Sequence, residues 1–356
     1  MSFTLMQAVN LLNSRVSLFQ SIIWNFRILF LFLQRVEPAK PLNEAQIGGS
    51  FYLLKMYSSD ILQFQTIEEI ILMLEKQGLL IDKTNARKQF QRIGYFRLRS
   101  YLYPLLDTPK SLGLFKPGAT FEQAMELYKF DRKLRLLVFS QIEKIEIAVR
   151  CQLVTIGCKE IGAVDWLYQE SNFSDNQQFV QTLAVLSSEW KHTKEDFAQE
   201  FQATYGKALP PVWMILELIP IGTLAHLYRN IKSKSLRKKI SQYFGTPPDV
   251  FASWLFCFAS IRNICCHHNR LWNRTLPNTP AILKRPKGNW ISFNAIDYGR
   301  LYYKLAMIQY VLSFICPNHH FSSSLKQLGR EYPRVDFSIM NFPEDWEEEP
   351  FWNNPN

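Results

Sequence analysis

Between Thr66 and Gly78 the run TIEEIILMLEKQG places Ile67, Ile70, Ile71, Met73 and Leu74 at helical spacing, so that they share one face. Thr66 stands where an N-cap belongs and Gly78 where a helix ends. A second helix is predicted over Asn85 to Ile93, closed by Gly94. The run YFRLRSYLYPLL then alternates aromatic and basic residues and stops near Pro104. After Pro117 and Gly118, Thr120 opens a long stretch without proline or glycine until Gly157. In it Leu127, Phe130, Leu134, Leu137, Val138, Ile142, Ile145 and Ala148 recur at helical spacing, the strongest helical signal in the chain.

The section from Asp165 to Lys207 is more polar and reads, at SNFSDNQQ, as an exposed loop. VWMILELIPIGTLAHLYRN predicts two short helices broken near Pro220 and Gly222, and the basic run KSKSLRKK follows. Pro247 and Pro248 precede a helix expected from Val250 to about Asn273. Residues 275–294 read as a proline-rich loop, Asp297 to Ile315 as another helix, and the tail ends in the acidic, tryptophan-bearing PEDWEEEPFW. No alternation persists long enough for a strand, and no fixed-period repeat occurs. The fold class predicted is all-α. The expected divisions are an extension at 1–55, a small helical module at 56–115, a main helical domain at 116–320, and a tail at 321–356 packed on it.

Composition sharpens this only in part. Hydrophobic residues at 47% and charged residues at 20% are those of a folded chain. A net charge of +10 permits a polyanionic partner without requiring one. The six cysteines lie in apolar helical stretches, the usage of buried thiols in a reducing cytoplasm. Val16 to Gln34 is apolar enough to suggest a membrane helix, but Asn25 and Arg27 at its centre argue against stable insertion. Residues 1–55 are expected to be an added or early-started extension, with a packing helix and a membrane-associated segment as the other readings; Met56 precedes the first amphipathic stretch.

Candidate chemistry concentrates in IRNICCHHNRLWNR. On one continuous helix Asn263, His267, Arg270 and Arg274 would form a polar stripe, beside Arg262 and next to the apolar Ile261, Ile264 and Leu271. Imidazole titrates near neutrality and can move protons. Guanidinium grips phosphate and stabilises developing negative charge. That set suits phosphodiester cleavage, and a second copy of the helix would supply a second histidine. The ordinary reading of a lone histidine, a hydrogen-bonded structural residue, keeps about equal weight. Zinc is disfavoured because Cys265, Cys266, His267 and His268 are consecutive and point in four directions; neither a metal nor another cofactor is expected. Lys234, Arg237 and Lys238, with Lys232 and Lys239, are the best candidates for nonspecific RNA contact, though a solvated helix face explains them equally. Tyr95, Phe96, Arg97, Arg99, Tyr101 and Tyr103 could stack bases, but core packing is the simpler account. Glu146 and Arg150 are one helical turn apart and placed to pair. His319 and His320 read as an exposed turn.

These segments together resemble the Abi-like (AbiD/AbiF) group of abortive-infection proteins within the HEPN superfamily. Arg262, Asn263 and His267 fit its R-N-x-x-x-H signature, extended by Arg270, Leu271, Trp272, Asn273 and Arg274. IGYFRLRSYLYPL, LYKFDRKLR…IEKIEIAVR, VWMILELIPIGTLAHLY and the tail also match, covering roughly residues 60–352. The resemblance implies a HEPN-like helical fold, a homodimer with a composite ribonuclease site, and a toxin held by an RNA or protein antitoxin. It implies Arg262 as transition-state stabiliser, Asn263 as orienter and His267 as acid–base residue; from the stripe itself, Arg270 and Arg274 are expected to hold the RNA. Glu146, Arg150, His268, Trp272 and Asn273 would support them. The alternatives are a non-catalytic RNA- or partner-binding module that senses infection, and a membrane-acting effector.

Overall fold

The computed structural model describes residues 64–206, 208–292 and 296–353. The chain divides into two units, Met1–Lys55 and Met56–Asn356, and every described residue belongs to the second. The apolar Val16–Gln34 segment and the readings of residues 1–55 lie outside the described residues.

Among the described residues the fold is all-α, with thirteen α-helices, three isolated bridges and no strand. The first helix, α1 (Ile67–Lys76), starts at a capping box: Thr66 Oγ1 accepts from Glu69 N–H, and Glu69 accepts from Thr66 N–H. Helix α2 (Lys83–Ile93) begins two residues earlier than expected because Asp82 caps it. Helix α3 (Tyr95–Leu102) follows at once, turned by Gly94 at φ 86°.

Helix α4 (Phe121–Ile161) is the organising element. Its 41 residues run through Gly157, past the end the glycine suggested, to Gly162 in the left-handed conformation. Gly157 serves packing there: a Cβ would sit 2.7 Å from the buried Trp166 ring. Phe130, Leu134, Val138, Ile142, Ile145, Val149 and Leu153 on α4 are all fully buried. Against it pack α3, α7 (Val212–Leu218), α9 (Lys234–Tyr243), α10 (Pro248–Cys266), α11 (Leu301–Ile315) and α12 (Phe321–Glu331).

The polar section holds two helices, α5 (Asn176–His192), which begins within the SNFSDNQQ expected as a loop, and α6 (Asp196–Tyr205), with α5 packed on α7 and on α8 (Ile221–Asn230). Helix α11 is shorter than predicted: Asp297–Arg300 form a turn, with Asp297 accepting from Gly299 N–H at 2.8 Å. The tail, ending in α13 (Pro350–Asn353), buries Phe342, Trp346, Phe351 and Trp352, and Glu349 accepts from Tyr302 at 2.7 Å.

Three smaller expectations change. All six cysteines are free thiols, but Cys151 is exposed and only Cys257 and Cys265 are buried. His319 is buried, not on an exposed turn. Its Nδ1 accepts from Phe321 N–H, and burial, with Lys144 and His320 nearby, pulls its pKa down to about 4. Helix α10 is long and apolar enough to cross a membrane, yet it lies against α4, α8 and α9 as a core helix.

Candidate functional site at the end of helix α10

Helix α10 does not continue to Asn273. It ends at Cys266, His267 is the C-cap, and His268 turns left-handed at φ 56°. The closure is a Schellman motif: His268 N–H donates to Cys265 O at 3.1 Å, and Asn269 N–H to Ile264 O at 3.0 Å. Asn263, His267, Arg270 and Arg274 therefore do not share one helical stripe. Asn263 and His267 do remain one turn apart, because His267 N–H still donates to Asn263 O at 3.0 Å. Both side chains are exposed, as is His268.

Arg262 is half-buried, and its surroundings come from α4. Glu146, buried, receives Arg150 at 2.6 Å and stands 3.7 Å from Arg262 Nε. The two arginines differ in how fully they are used. Arg150 also donates to Leu216 O and Ile219 O, each at 2.9 Å, and so ties α4 to α7 and its following turn. Arg262 Nε is buried and makes no hydrogen bond, while its Nη1 meets Asn263 Oδ1 at 3.4 Å. Glu146 thus positions the Arg262 guanidinium by charge and leaves its donors largely uncommitted. Pairing of Glu146 with Arg150 was legible from their spacing; the link to Arg262 was not.

After the turn the chain is caught by a residue that sequence reasoning passed over. Asp131, fully buried on α4, accepts from Leu271 N–H at 3.0 Å and Trp272 N–H at 2.7 Å through one oxygen. Its other oxygen takes Tyr101 at 2.5 Å and pairs with Arg135. Burial pushes the Asp131 carboxyl up, opposed by Arg135, Tyr101 and the two backbone groups. Trp272 lies parallel to Tyr101, with ring centroids 6.5 Å apart. The available signal was Asp131 and Arg135 standing inside the apolar stripe of α4, where a charge needs a partner.

This clamp sets the arginines of the loop. Arg270 reaches Ser100 O on α3 at 3.3 Å, and Arg274 returns to Arg270 O at 3.2 Å. Burial pulls both guanidinium groups below the usual arginine range, opposed for both by Asp131. Asn273 takes a left-handed backbone and accepts from Arg300 at 3.4 Å. Arg97 on α3 donates to His268 O, joining α3 to the turn beside His267.

The basic run is not brought here. Arg237 of α9 pairs with Asp249 at 3.5 Å, at the opposite end of α10. Thirteen residues at a rise of about 1.5 Å place Asp249 roughly 20 Å from Arg262 along the axis. Lys239 is occupied by Glu160, while Lys234 and Lys238 are exposed. Burial pushes the Cys265 thiol up to about 12. Among the described residues no group of three or more His, Cys, Asp or Glu side chains is arranged to hold a metal ion.

The class defined by these features is an all-α protein with a half-buried arginine beside an exposed asparagine and histidine where a core helix ends. A family model described as "Abi-like protein" matches residues 88–273, and the chain belongs to that family. Membership associates it with abortive infection, a phage-defence response. Neither a curated protein nor a solved structure matches the chain.

Proposed function

We propose that the chain is a cytoplasmic, HEPN-type endoribonuclease toxin that cuts RNA without a metal, at a composite site formed when two copies meet. The observation that supports this most is the contrast between two arginines on one carboxylate. Arg150 spends three donors on Glu146 and two carbonyls, whereas Arg262 is held nearby with its Nε unfilled and one Nη1 contact to Asn263, beside exposed Asn263 and His267. A positioned guanidinium with unfilled donors is what a phosphate in its transition state requires.

In this reading His267 takes the proton from the ribose 2′-hydroxyl, and the oxygen attacks the adjacent phosphorus. The 5′-oxygen leaves with a proton from the partner copy's equivalent histidine, giving a 2′,3′-cyclic phosphate and a 5′-hydroxyl. Arg262 neutralises the charge on the phosphorane oxygens, and Asn263 orients the phosphate. An RNA or protein antitoxin would act by covering this face.

The test is growth arrest together with RNA-end mapping for the wild-type and His267→Ala chains. Wild type should arrest growth and leave cyclic-phosphate ends in EDTA. His267→Ala should fold with an unchanged Tm and lose cleavage by about 10²-fold or more. Cleavage only with added divalent metal would overturn the mechanism. Equal toxicity of His267→Ala, with RNA bound but intact, would instead identify a binding module.

A further inference from the structure

We infer that Phe96 and Arg97 at the start of α3 form a platform for single-stranded RNA, stacking an unpaired base next to the phosphate at His267. The inference rests on the nuclease reading for its ligand class but on separate side chains. Of the aromatic residues in YFRLRSYLYPLL, most are committed to packing. Tyr101 is buried on Trp272 and Asp131, Tyr95 packs edge-on against Phe90, and Tyr103 faces Lys110. Phe96 is the exception, 83% exposed at the surface of a helix whose neighbours are charged.

Its place is fixed by contacts. The adjoining residue, Arg97, donates to the carbonyl of His268, and Ser100 one turn on receives Arg270. The first turn of α3 is therefore tied directly to the turn that carries His267. The Arg99 guanidinium lies over one face of the Phe96 ring, 5.4 Å from its centroid, and the high exposure of the side chain leaves ring surface for a ligand. Arg97 uses one donor on His268 O and is exposed, so the rest of its fork can meet a phosphate. Exposed phenylalanine between arginines is unfavourable on a free surface but is the combination that binds single strands, since every base offers a π face and every nucleotide a charge. A duplex, with its bases already stacked, gives the ring nothing to bind.

The experiment uses the full chain with His267→Ala, which prevents cleavage during binding, and the fluorescence anisotropy of a labelled single-stranded RNA and of the same strand paired with its complement. Adding Phe96→Ala should weaken single-strand binding by about five- to a hundred-fold, the range expected for one stacked base, and leave duplex binding unchanged. Phe96→Trp should restore the single-strand affinity. Unaltered single-strand binding by Phe96→Ala, an equal loss for the duplex, or no single-strand binding at all would overturn the platform. If Phe96 governs binding while the wild-type chain leaves RNA intact, the platform stands and the nuclease reading falls.

Discussion

A carboxylate taken out of water costs several kcal/mol unless its oxygens are filled, and Asp131 fills both. One oxygen holds the backbone of Leu271 and Trp272, and the other holds Tyr101 and Arg135. It acts as a splint between α4, α3 and the loop bearing Arg270 and Arg274, without touching the exposed face. Asp131→Asn would turn a donor toward Arg135 and Tyr101, leaving a buried guanidinium without its counter-charge. The expected loss is about 3–5 kcal/mol, read as a lower urea midpoint. Asp131→Asn with Arg135→Gln should recover part of that, because no lone charge is left behind. Equal stability of the single and double variants would mean that the pair is not what holds this junction.

Elements differed in legibility according to the kind of signal that defines them. Helix α4 was plain because apolar residues recur along it at helical spacing and Thr120 caps its start with Gln123 completing the box. Helices α5 and α6 were not, because few of their residues are buried: Phe179, Thr182 and Leu186 on one, Ala198 on the other. The R-N-x-x-x-H cluster could be read from residue types alone. The end of α10 could not, because its left-handed residue is a histidine where glycine is the usual sign. The Asp131 clamp was half visible: Arg135 one turn on marks a charge that needs a partner, but the backbone groups that Asp131 holds, 140 and 141 positions away, leave no mark in side-chain spacing. The helix end makes its own prediction. A non-glycine residue in that conformation costs roughly 1 kcal/mol, more when branched at Cβ. His268→Gly should leave Tm unchanged or slightly higher and keep cleavage, while His268→Val should lower stability by about 1–2 kcal/mol and reduce cleavage by moving His267. If valine is as stable as glycine, the turn is not held by the Schellman geometry.

For the whole molecule, a net charge of +10 matters through where the cations are free. Near His267 they are Arg262 and Arg97, largely uncommitted, with Arg270 and Arg274 partly spent on carbonyls. At the other end of α10, Arg237 and Lys239 are paired with Asp249 and Glu160, which leaves Lys234 and Lys238 facing solvent. Two separated basic surfaces on one chain predict binding that depends on RNA length. A strand long enough to reach from one surface to the other should feel both, and a dinucleotide only the one at His267. Replacing Lys234 and Lys238 with glutamine removes two phosphate contacts from the long strand, which should lower the slope of log affinity against log salt by about 1.4. Cleavage of the dinucleotide should be untouched, because neither lysine lies within reach of Arg262. A dinucleotide whose cleavage falls in the double variant would show that α9 contributes to the reacting centre, and an unchanged slope for the long strand would show that RNA leaves the protein before reaching it.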